Sequence, residues 1–174
     1  LGRACAQIFA REGARVAVCD LDRSRALAAK QWAETSYGKQ LDGPAPEVAV
    51  YGDFRELLAR DDIDGGTIAT PDHWHALVAI AAAKARKAIY LQKPLTYSLV
   101  EGQRLCAAVR AHKVVLQVGS QQRSDARFRQ ACELVRNGRL GKLQRIQVFL
   151  PPDHGSGDPA ASPVPDGFDH ETWM

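Results

Sequence analysis

No stretch of this chain combines clustered arginine and lysine with interleaved aromatics. Its 23 basic and 20 acidic residues leave a net charge of +3, scattered along polar faces, so nucleic acid is not an expected partner. The four cysteines, Cys5, Cys19, Cys106 and Cys132, include no C-x-x-C pair. That argues against a structural zinc or a disulfide framework and predicts buried thiols. The most apolar region, Ala76 to Leu91, is broken by Lys84, Arg86 and Lys87. It is too short and too charged to span a bilayer, so no membrane association is expected. No internal repeat is visible. What is present, 45% apolar and 25% charged residues in 174, is the composition of a globular protein with a real core.

The apolar pattern alternates between helical and strand periods. "GRACAQIFARE" reads as a helix ending at Gly13, "RVAVC" as a strand and "RSRALAAKQWAETS" as a helix, followed by a "GPAP" loop. "EVAVY" is a strand, and Asp53 with Glu56 caps a short helix through Leu58. "GGTIAT" (strand), "HWHALVAIAAAKA" (helix) and "AIYLQ" (strand) follow. Ser98 and Glu101 make a capping box for the next helix, "VVLQV" is a strand, "DARFRQACELVRN" a helix and "LQRIQVFL" a final strand. Strands separated by helices imply parallel pairing, hence a doubly wound α/β sheet. From Pro151 onward, prolines and glycines predict a loop, with Trp173 packing it against the next domain. The chain opens at Leu1 within a helix already in progress and stops at Met174 without a helix end, as expected of a piece of a longer chain. No compartment follows from it.

In an open parallel sheet, ligands bind outside the carboxyl ends of the strands. Each predicted strand here ends in polar groups. Asp20 and Asp22 follow the first, Thr70-Pro71-Asp72-His73-Trp74-His75 the third, Gln92-Lys93-Pro94 the fourth and Gly119-Ser120-Gln121 the fifth. Together they suggest one crevice containing an acid/base lysine. Polar loops are common to all α/β proteins, so each alone says little. His73 and His75 are two apart, not three or four, which disfavours a metal pair, and no metal is expected.

Gly2 opens the first helix, where a dinucleotide fold needs glycine so that backbone N–H groups reach a pyrophosphate; close helix–strand packing is the plainer reason. Asp20 follows at a spacing suited to the acid that binds ribose hydroxyls. Asp22 is the better helix cap, which leaves Asp20 for the ribose. Arg23 could meet a 2′-phosphate, so NADP stays open beside NAD.

The strings "ATPDHWHALVAIAAAKARKAIYLQKPLTYSLVEGQRL" and "VLQVGSQQRSDARFRQACELVRNGRLGKLQRIQV" resemble the Gfo/Idh/MocA oxidoreductases over nearly the whole chain. The shared order is a T-P-x-x-x-H loop, an E-K-P-like tripeptide and a G-x-Q-x-R loop. The resemblance implies a Rossmann-like domain over 1–119, lacking its first strand and two glycines. The start of a substrate and oligomerisation domain would occupy 120–174. A missing central strand would leave two sheet edges unpaired and this segment poorly stable alone.

The same resemblance places Gly2 at the third glycine of the cofactor fingerprint and Asp20 at the ribose acid. It sets Thr70 and Pro71 along the dinucleotide, His75 near the nicotinamide ribose, and His73 and Trp74 beside it. Gln92, Lys93 and Pro94 fall at the E-K-P motif, whose lysine helps move the substrate proton, and Gln121 falls beside the nicotinamide. It further implies a sugar or polyol substrate, a homo-oligomer, and an aspartate and histidine beyond Met174. Gln92 departs from the motif: an amide keeps an acceptor oxygen but removes the negative charge beside Lys93. Three readings stay open: a sugar or polyol dehydrogenase, an NAD-dependent glycoside hydrolase on the same scaffold, and a non-catalytic dinucleotide sensor, which Gln92 favours.

Overall fold

The computed structural model describes residues 2–37, 46–150, 152, 163–164 and 169–174. Most of the "GPAP" turn and of the proline- and glycine-rich tail lie outside the described residues. By their contacts the residues fall into two units, Leu1–Gly119 with Asp166–Met174, and Ser120–Pro165.

The first unit runs α1 (Gly2–Arg11), β1 (Ala17–Cys19), α2 (Arg23–Tyr37), β2 (Ala49–Tyr51), α3 (Phe54–Leu58) and β3 (Gly65–Ile68). A 3₁₀ turn (Asp72–Trp74), α4 (His75–Lys84), β4 (Ala88–Gln92), α5 (Leu99–His112) and β5 (Leu116–Gly119) follow. All pairings are parallel: β1 with β2, and β4 between β3 and β5. Parallel neighbours need a crossover, which α2, α4 and α5 supply. The sheet is therefore present in two pieces, and β1 and β3 each have one edge without a strand partner among the described residues.

Local chemistry sets the helix boundaries. Asp22 accepts from the N–H groups of Ser24 and Arg25 at 2.9 and 3.3 Å, so it caps α2. Asp53 accepts from Arg55 N–H at 2.8 Å and caps α3. At α5 the box is reciprocal, with Ser98 N–H donating to Glu101 Oε2 at 2.9 Å and Glu101 N–H to Ser98 Oγ at 3.3 Å. Gly13, beyond α1, takes φ +81°; the turns after α4 and α5 use Arg86 and Lys113 at +58° and +55° instead.

Two apolar clusters hold the first unit. Ile68, Ile89 and Leu91 of the three-stranded sheet pack with Val78, Ala79, Ala82 and Ala83 of α4 and Leu105 of α5. Ala6 and Ala10 of α1, Val18, Ala33, Tyr37 and Val48 form the other. Tyr37 is fully buried, accepts from Val16 N–H at 2.8 Å and donates to the Ala14 carbonyl. Burial pushes its phenol above the usual tyrosine range, which keeps it a neutral donor.

The second unit holds a 3₁₀ turn (Gln121–Ser124) and α6 (Ala126–Arg136), capped by Asp125. The strand expected over "LQRIQVFL" is not formed. A strand needs a ladder partner, and Ile146, Val148, Phe149 and Leu150 have none here and are exposed. The thiols also differ from expectation: Cys106 and Cys132 are exposed, and Cys5 and Cys19 only half-buried. The last described element, α7 (His170–Trp173), belongs with the first unit. Among the described residues no helix is long and apolar enough to cross a membrane.

Tyr37→Phe should lower the unfolding free energy of the full-length protein by about 1–3 kcal/mol, because Val16 N–H loses its acceptor in a buried setting. Urea unfolding of the two proteins measures the difference.

Candidate functional site

Parallel pairing puts the carboxyl ends of β3, β4 and β5 at one edge, with Ile68 opposite Leu91 and Gln92 opposite Gly119. The turn after β3 carries Thr70, Pro71, His73, Trp74 and His75; the turn after β4 carries Lys93 and Pro94, joined by a cis peptide.

His75 joins these turns. Its ring is fully buried, with Nδ1 2.6 Å from the Pro94 carbonyl oxygen and Nε2 3.0 Å from that of Thr70. A neutral imidazole has one N–H, so it donates to one of them at a time. With both ring nitrogens on these carbonyls, His75 sets the distance between the Thr70 and Pro94 turns.

His73 and Trp74 are half-buried on the 3₁₀ turn. The Trp74 ring packs edge-on against Phe54 at 6.2 Å. Both side chains meet the Trp173 carbonyl, within the first unit. Lys93 is exposed, and its amine has no ion pair or hydrogen bond among the described residues.

Gln92 ends β4, over Gly119. A Cβ on Gly119 would stand 2.8 Å from Gln92 Oε1 and 3.1–3.2 Å from Tyr90 Cε1 and its hydroxyl, so a side chain at 119 would make both of these side chains shift. The sequence showed a glycine at a strand end but not this reason for it. Gly2 is different: a Cβ there would meet Ala69 Cβ at 3.8 Å, an ordinary contact. Its packing in the described residues does not demand glycine, but it does set the start of α1 beside the end of β3.

At the end of β1, Asp20 Oδ1 accepts from Asp22 N–H at 3.0 Å while Asp22 caps α2. The Cys19 thiol is pushed up to about 11, by burial first and then by Asp20, Asp53 and Glu56. Three carboxylates thus impose a negative field where β1 and β2 end. Gln121 opens its 3₁₀ turn in the second unit. The described residues contain no cluster of three or more metal-ligating side chains.

Residues 5–120 match the oxidoreductase family with an NAD-binding Rossmann fold. The chain belongs to the Gfo/Idh/MocA oxidoreductases. It is 37% identical over 132 residues to the oxidoreductase YrbE of Bacillus subtilis, covering 76% of this chain and 35% of that protein. It is 30% identical over 114 residues to the myo-inositol 2-dehydrogenase of Thermotoga maritima, covering 66% and 32%. The fold is similar to that of the WlbA dehydrogenase of Bordetella pertussis, crystallised with NADH and UDP-GlcNAcA. The TM-score is 0.62 at 25% identity, over 80% of this chain and 39% of that one. The chain spans about a third of the length of these curated relatives.

Two outcomes follow from this geometry. Replacing His75 with Phe removes the tether of Thr70 and Pro94 and should cost about 1–3 kcal/mol in urea unfolding. At pH 8 a thiol titrating near 11 is about one part in a thousand thiolate. Iodoacetamide should therefore modify the exposed Cys106 and Cys132 well before Cys19. Mass spectrometry of peptides over time, repeated at rising pH, should show Cys19 gaining about tenfold in rate per unit.

Proposed function

We propose that the complete protein is an NAD-dependent dehydrogenase acting on a carbinol carbon of a sugar or cyclic polyol, with Lys93 handling the proton. The observation that carries this is the Lys93 amine, exposed and unpaired among the described residues, beside a turn tied by His75 to the Thr70 turn. Family membership and relatives named as inositol dehydrogenases support the chemistry and the substrate class.

The donor set fits a dinucleotide. Asp20 offers a half-buried carboxylate at the end of β1 for ribose hydroxyls, and Gly2 begins α1 beside the end of β3. Thr70 and Pro71 would line the molecule, with His73 and Trp74 behind them and Pro94 beside Lys93. Gln92 would accept from a ribose hydroxyl through Oε1, and it is the family resemblance that assigns Gln121 to the nicotinamide. The negative field of Asp20, Asp53 and Glu56 opposes a 2′-phosphate, which favours NAD over NADP. Arg23, the one cation that argued for NADP, is exposed at the start of α2.

When bound, NAD would supply the hydride-accepting chemistry for the carbinol carbon. The remaining work is the protein's: Lys93 Nζ takes the proton of the reacting hydroxyl, and the turn held by His75 keeps that amine in place. The substrate-binding domain would begin near residue 120, and the full-length protein would assemble as a homo-oligomer.

Full-length protein mixed with NAD and a panel of inositols and sugars should give NADH absorbance with at least one of them. Lys93→Met should reduce kcat by about 10²–10⁴-fold while NAD still binds. Unchanged turnover would remove Lys93 from the chemistry. Binding of NADH with no turnover would favour the sensor reading, for which Gln92 speaks. Cleavage of a chromogenic glycoside without net NADH would favour the hydrolase.

A further inference from the structure

Two side-chain donors converge on one backbone oxygen near the C-terminus. His73 Nε2–H and Trp74 Nε1–H each donate to the Trp173 carbonyl over 2.8 Å. The Trp173 ring stands edge-on to His73, with centroids 5.0 Å apart. The turn presenting that carbonyl is itself braced. Asp169 accepts from Thr172 N–H at 3.0 Å and from Thr172 Oγ–H at 2.5 Å, and the His170 ring lies 6.4 Å from that of Trp173.

We propose that Trp173 is a positioning residue of the cofactor crevice, holding the Asp72–Trp74 turn from outside as His75 holds it from inside. The inference rests on the dinucleotide reading of Thr70 and Pro71. The attachments of the turn include Trp74 N–H to the Pro71 carbonyl at 2.9 Å, His75 Nε2 to the Thr70 carbonyl, and the two ring donors to Trp173. The first two lie within the turn and its own helix start. The third ties it to a chain segment about a hundred positions away. A loop fixed before a ligand arrives loses less freedom on binding, so the clamp acts on cofactor affinity rather than on the proton transfer at Lys93.

The clamp can be removed from the donor side without disturbing the backbone of Trp173. In the full-length protein, Trp74→Phe deletes the indole N–H and keeps a ring against Phe54. His73→Phe deletes the imidazole donor and keeps a ring against Trp173. His73→Gln returns an N–H near the original position. NADH titration by fluorescence should show Kd raised five- to twentyfold in Trp74→Phe and in His73→Phe, a larger change than any in kcat at saturating NAD. His73→Gln should recover most of the lost affinity.

Either Phe variant, if the other is insoluble, decides the question. Affinity within twofold of wild type in the soluble variants would overturn the positioning role, as would a loss of kcat at unchanged Kd. Failure of His73→Gln to recover affinity would overturn the hydrogen bond as its basis. A wild-type protein that binds no NADH would overturn the dinucleotide reading and this inference with it. Binding that is indifferent to the variants overturns this inference alone.

Discussion

A buried imidazole lies between the carbonyl oxygens of Thr70 and Pro94, and the arrangement of the site depends on it. Neighbouring parallel strands set the spacing of their backbones but not of the turns beyond their ends. Those turns are polar, solvated and free to separate. His75 removes that freedom because it opens α4, whose next residues, Ala76, Val78 and Ala79, are buried in the core. The position of the Lys93 turn is thereby tied to the packing of a helix.

The ends of the two sheet pieces divide the chemistry. At β1 and β2, burial first and then the accumulated carboxylates keep Cys19 a protonated thiol. At and beyond the ends of β3 and β4 stand the exposed amine of Lys93, the Gln92 amide and the half-buried rings of His73 and Trp74. A dinucleotide has a matching division, with ribose hydroxyls at its adenosine end and a reacting ring at the other. On the proposed reading, each end of a dinucleotide would meet the set of residues that suits it.

Much of the fold was legible because its signals are local. Asp22, Asp53 and the Ser98–Glu101 pair announce helix starts within four residues of themselves, and alternating apolar runs mark β1 to β5. The run at 143–150 shows where local signals stop: its pattern is that of a strand, but pairing depends on a partner that the run itself cannot specify. At the site, the residue types at strand ends could be read, whereas burial could not. His75 and His73 look alike in sequence, yet one is sealed between carbonyls and the other half-exposed. Trp173 meets its partners across about a hundred positions, beyond any periodic signal.

Along β4, parity separates two duties. Ile89 and Leu91 are sunk in the core, while Tyr90 and Gln92 flank the space that Gly119 leaves open. Glutamate and glutamine have nearly the same shape, so position 92 can exchange a carboxylate for an amide without any core side chain repacking. The charge beside Lys93 is thus set on the face of β4 that the core does not use. A frameshift of one residue within the strand, by contrast, would exchange both duties at once.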